Sequence, residues 1–112
     1  MRKEAASKLE KILEKLLTSK LKELNTPENF DSVKIDIYPS EYGINCHISY
    51  LMKKPFSRED SDFFNYLGFP ISFIKSVAGD IFNGGIQSGQ STVAHYNDRT
   101  GDWYEMQKER FE

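Results

Sequence analysis

His47 and His95 are the side chains of this chain that would exchange protons near neutral pH. Each lies in an alternating run, and a hairpin register would set each opposite an acid: Asp36 for His47, Glu105 for His95. A carboxylate beside an imidazole raises its pKa above the ordinary ~6.5 and supports acid–base chemistry. The same geometry is also an ordinary cross-strand polar pair on a solvated sheet face. The residues favour that plainer reading.

The other chemistry-bearing residues are weaker. Cys46 and His47 are neighbours on a strand, so they point to opposite faces and cannot chelate together. His95 and Asp98 are close, but no second His or Cys joins them, and there is no CxxC or HExxH. Cys46 lies between Ile44 and Ile48, where a thiol is a small core residue without an activating base. Ser88 and Ser91 have no GxSxG elbow around them. Gly84-Gly85-Ile86-Gln87-Ser88-Gly89 lacks the Lys-Ser/Thr ending of a phosphate loop. It also follows a helix instead of preceding one, so it reads as a cap and a loop over 84–91. Lys53-Lys54-Pro55-Phe56-Ser57-Arg58 is the one local basic cluster. With Tyr38 and Tyr42 on the same hairpin it could stack single-stranded bases, but Glu59, Asp60 and Asp62 follow at once. No catalytic, cofactor-binding or metal-binding residue is assigned, and no cofactor is expected.

The elements that would position these residues follow from periodicity. Leu9, Ile12, Leu13, Leu16, Leu17, Leu21 and Leu24 form an apolar stripe on a helix over 3–24, stopped by Asn25 and Pro27. Thr26-Pro27-Glu28 reads as a short turn. Val33, Ile35 and Ile37, then Ile44, Cys46, Ile48 and Tyr50, alternate with polar residues. That predicts antiparallel strands at 32–39 and 44–52. Their apolar faces coincide only if Ile37 meets Cys46 and Ile35 meets Ile48, which sets Asp36 against His47. The loop is Ser40-Glu41-Tyr42-Gly43, with positive φ at Gly43. Ser57 caps a second helix carrying Phe63, Phe64 and Leu67 and ending at Gly68. Pro70 opens a third over 70–82, with Ile71, Ile74, Val77, Ala78 and Ile81 on one side. Residues 103–111 fit a helix or a strand. The strand reading gives a second hairpin around Asp98-Arg99-Thr100-Gly101, pairing Tyr96 with Tyr104.

The expected fold is α+β: an antiparallel sheet of two hairpins, with a long N-terminal helix and one or two central helices on one face. The 112 residues make a single domain, 1–112. Fifteen basic against seventeen acidic residues leave a net charge of −2, spread over every segment, which argues against a generic polyanion binder. No apolar run reaches the ~20 residues of a membrane span. A lone cysteine and a charged N-terminus lead us to expect a cytoplasmic protein.

Function is not written in these residues. The first expectation is a non-catalytic protein-interaction module or small assembly subunit that self-associates, since the leucine stripe is longer than a domain this size needs to fill its core. The alternatives are a single-stranded nucleic-acid binder using the first hairpin through Lys53, Lys54 and Arg58, and a small ligand-binding domain or enzyme. The last would need a histidine in a cleft.

Overall fold

The computed structural model describes residues 3–40, 43–79 and 88–95. In chain order the elements are α1 (Lys3–Glu23), β1 (Phe30–Ser40), β2 (Gly43–Met52), α2 (Arg58–Leu67), α3 (Ile71–Ala78) and β3 (Ser88–His95). The expected α+β class holds, and the described residues form three helices and one sheet of order β1-β2-β3.

β1 and β2 pair antiparallel in the register that the apolar alternation requires: Ile35 with Ile48, Asp36 with His47, Ile37 with Cys46. The ladder continues to Ser40 and Gly43, so the connection is two residues shorter than the sequence suggests, and Gly43 has φ 117°. At the other end the register shifts between Phe30 and Ser32.

The leucine stripe of α1 is only partly used inside the chain. Leu9, Leu13, Leu17 and Leu21 are buried, whereas Ile12, Leu16 and Leu24 are exposed. The helix also lies elsewhere than on a sheet face. Ile37 N–H donates to Glu10 Oε2 at 2.7 Å, Ile35 N–H to Glu14 Oε2 at 2.9 Å, and Val33 N–H to Thr18 Oγ1 at 3.1 Å. Backbone N–H groups lie in the plane of a sheet, so these acceptors sit along the outer edge of β1. Four residues of helix advance ~6.0 Å and two residues of strand ~6.7 Å. The two periods nearly coincide, and three rungs form in succession.

α2 is set by a capping box. Asp60 N–H donates to Ser57 Oγ and Ser57 N–H donates to Asp60 Oδ2, both at 3.1 Å. The bond from the Ser57 backbone holds the Asp60 carboxyl below the usual carboxylate range, with Asn29 Nδ2 adding a further donor at 3.2 Å. Phe64 anchors the helix to the sheet, 4.9 Å from the Tyr50 ring and 5.1 Å from Phe30, centroid to centroid. Tyr50 Oη donates to the Gly68 carbonyl at 2.6 Å, where φ is 64°. α3 runs from Ile71 to Ala78, capped at Gly79, and contributes Ile74 to the core; residues 80–82 of the expected helix lie outside the described residues. Lys20 of α1 lies over the Phe73 ring of α3 at 5.7 Å.

β3 departs most from expectation. Residues 88–91 are strand where a loop was expected, and β3 pairs with β2 parallel, making a mixed three-stranded sheet instead of two hairpins. Parallel neighbours require a long crossover, and α2 and α3 lie within it. The expected turn at 98–101, its strand at 103–111 and the partner Glu105 lie outside the described residues, as do Glu41, Tyr42 and Gly84–Gln87.

Gly89 sits beneath Phe69. A Cβ at this position would lie 2.4–2.6 Å from three atoms of that ring. Gly89→Ala should therefore lower stability by about 1–3 kcal/mol, the usual cost of overpacking, as read from urea midpoints. Adding Phe69→Leu should recover part of the loss.

Candidate functional site

One face of the sheet is apolar and carries the core: Ile35, Ile37, Cys46, Ile48 and Tyr50 against Phe64 and Ile74. The other face holds Lys34, Asp36 and Tyr38 on β1, Asn45, His47 and Ser49 on β2, and Ser88, Gln90 and Thr92 on β3. The sequence suggested that this second face meets solvent. The structure corrects that: Asp36 is 1% exposed and His47 7%. Asn45, Ser49 and Tyr38 are buried as well. Polar groups removed from water must find partners within the protein.

Side-chain contacts cross the strands in two places. Ser88 Oγ donates to Asn45 Oδ1 at 2.7 Å, and Asn45 Nδ2 donates to Tyr38 Oη. Burial is the largest cause of a raised Tyr38 pKa, partly offset by the Asn45 contact and reinforced by the charge of Asp36. Beside this chain, Thr92 Oγ1 lies 3.3 Å from His47 Nε2. Asp36 is the cross-strand partner of His47 on its other side. Because Ile35 and Ile37 aim their N–H groups at α1, Asp36 aims its own at β2, which makes Asp36–His47 a hydrogen-bonded backbone pair.

Hydroxyl, imidazole and carboxylate thus follow one another across three adjacent strands. In one tautomer His47 accepts from Thr92, and in the other it donates. Acyl-transfer chemistry would also need a space for the electrophile and donors for its oxyanion. A cavity of about 630 Å³ is lined by Glu4, Ser7, Lys8 and Lys11 of α1, none of which belongs to this face. What the described geometry of the polar face supports is a set of cross-strand ties that fixes the strands against one another. The side chain of His95 and its expected partner Glu105 lie outside the described residues.

Among the described residues, no group of three or more His, Cys, Asp or Glu is arranged to hold a metal ion. Cys46 is buried on the apolar face, as expected. Burial, helped by the charges of Glu10 and Asp36, pushes its thiol up to about 12.

Acids lie beside two cations of the basic cluster. Lys53 Nζ is 4.0 Å from Asp31 Oδ1, and Arg58 Nε is 3.9 Å from Asp62 Oδ2. Tyr38, one of the two aromatics offered for base stacking, is buried. No helix among the described residues is long and apolar enough to cross a membrane.

Exposed apolar side chains lie on the leucine stripe of α1, at Ile12, Leu16 and Leu24, and also on α2 and α3, where the sequence reading did not look for them. Tyr66 is 96% exposed, and Phe63 and Leu67 flank it at 37% each, all on one side of α2. Ile71, at the start of α3, is half exposed. The signal was present in the spacing, since 63, 66 and 67 are i, i+3 and i+4.

No family model, no curated protein and no solved structure matches this chain.

The Cys46 thiol should be inert to an aromatic disulfide reagent in the native protein and react fully once denatured, as followed by absorbance. An exposed thiol titrates near 9.0, and burial in the folded protein pushes this one up to about 12. Between those values the folded state binds more protons than the unfolded one. Stability should therefore fall as pH rises above about 9.

Proposed function

We propose that this chain is a non-catalytic protein-interaction module that docks a partner through α2 and the first turn of α3. The observation that carries this reading is the exposure of Tyr66 beside Phe63 and Leu67 on a helix whose opposite side is fixed in the core by Phe64. A tyrosine presents a large apolar ring with a polar tip and loses little side-chain freedom on binding, which is why such residues anchor interfaces. α2 is pre-set by its capping box, so docking on it requires no folding step.

This reading places the interaction surface on α2 and not on the leucine stripe, where Leu9, Leu13, Leu17 and Leu21 are consumed by the chain's own core and only Ile12, Leu16 and Leu24 remain exposed. It also ranks above single-stranded nucleic-acid binding, because two of the three cations of that cluster lie beside acids and Tyr38 is buried. The contact between Thr92 and His47 supports the remaining alternative, a small ligand-binding domain, whereas the cavity on α1 lies at other residues.

A photo-crosslinking amino acid placed at Tyr66 of the full chain, in its native host, should capture one dominant protein identified by mass spectrometry. The same group at Glu59, on the charged first turn of α2, serves as the control. Equal yields from the two positions would contradict the assignment.

A further inference from the structure

Two exposed rows of side chains share one spacing and carry opposite charges. On α1, Lys8, Ile12 and Leu16 follow one another at four-residue steps, and all three are exposed. On α2, Glu59, Phe63 and Leu67 do the same, with the exposed Tyr66 beside them. Residues four apart lie on one helix face, so each row is a charge followed by two apolar side chains. Neither Lys8 nor Glu59 forms an ion pair with another described residue. Lys15, three residues beyond Ile12, adds a second exposed cation to the α1 row. The two rows lie apart within one chain: α1 runs along β1, α2 packs against β3, and β2 stands between those strands.

We infer that the partner docked on α2 is a second copy of this chain, which lays the Lys8–Ile12–Leu16 row of its α1 parallel to the Glu59–Phe63–Leu67 row. The inference rests on the α2 reading above and adds the exposed remainder of the leucine stripe as its counterpart. In this register Lys8 meets Glu59, Ile12 meets Phe63 and Leu16 meets Leu67. Rows of residues four apart are the ridges by which helices pack. Charge selects the occupant. α2 carries Glu59, Asp60 and Asp62 against the single cation Arg58, which disfavours nucleic acid and an anionic lipid surface. Two copies of α2 face to face would set acid against acid. A row that begins with a cation and continues apolar answers both features of the α2 row, and α1 of a second copy is such a row. Both helices are already held, α1 by its bonds to β1 and α2 by its capping box, so neither must fold to dock. Lys8 and Glu59 lie at the rim, where charge guides encounter, with Phe63, Tyr66 and Leu67 at the centre. The contact joins copies head to tail and closes as a dimer when each copy offers both rows across a two-fold axis.

The test uses the full chain. Sedimentation velocity of the wild type should show self-association at tens of micromolar that weakens as salt is raised. Lys8→Glu and Glu59→Lys, both at exposed positions, should each weaken it several-fold with an unchanged far-ultraviolet circular dichroism spectrum. Combined in one chain they should restore it, because the charges are exchanged and the apolar rows are intact. A photo-crosslinker at Tyr66 of the purified chain should join it to α1 of a second copy. A wild type that stays monomeric would overturn the inference. So would a double variant that associates no better than the single ones, or a crosslink that falls outside α1. If Tyr66 then still captures a different protein in the native host, the α2 reading outlives this inference, whereas equal capture at Tyr66 and Glu59 removes both.

Discussion

A strand at the end of a sheet carries a row of backbone donors with no neighbour to accept them. β1 meets three of them with side chains of a helix: Glu10, Glu14 and Thr18 receive Ile37, Ile35 and Val33. The rest of the fold follows from this row. It fixes α1 antiparallel to β1 and turns its leucines toward the core. It assigns the N–H groups of the odd-numbered residues to the helix, so those of Lys34, Asp36 and Tyr38 are left for β2. A helix placed on a sheet face would leave that edge open. Here the helix performs the task of a neighbouring strand.

With β1 held from outside, β2 becomes the central strand and is buried on both faces. Tyr50, Ile48 and Cys46 face the helices, and Asn45, His47 and Ser49 are enclosed on the other side. A polar layer of this kind adds little net stability, because each hydrogen bond made within the protein replaces one to water. Its value lies in selectivity. A slip of β3 by one residue would separate Thr92 from His47 and Ser88 from Asn45, leaving buried groups unmet. The layer therefore penalises wrong registers for a strand whose own sequence is nearly featureless.

Legibility followed the strength of local pattern. The β1–β2 register could be read because two apolar alternations must coincide, and Ile35 and Ile37 have no other way to meet Ile48 and Cys46. α2 could be read because Ser57 and Asp60 cap it locally. β3 could not: Ser88–Ala94 offers Val93 and Thr92 as its β-branched residues, and its pairing is decided by the α2–α3 crossover and by Phe69 fitting over Gly89. The polar face was misjudged for a related reason. Asp36 and His47 look like solvent-facing residues, and only the three-strand arrangement shows that they are buried. The four-residue spacing of Glu10, Glu14 and Thr18 beside a leucine row is the trace that an edge-guarding helix leaves in a sequence.

Native-state hydrogen exchange at Val33, Ile35 and Ile37 tests this account most directly. If α1 stands in for a strand, these amides are protected like those that bond β2. Glu10→Ala should then speed exchange at Ile37 while Val33, held by Thr18, keeps its protection. Equal and rapid exchange at all three in the wild type, unchanged by Glu10→Ala, would contradict it.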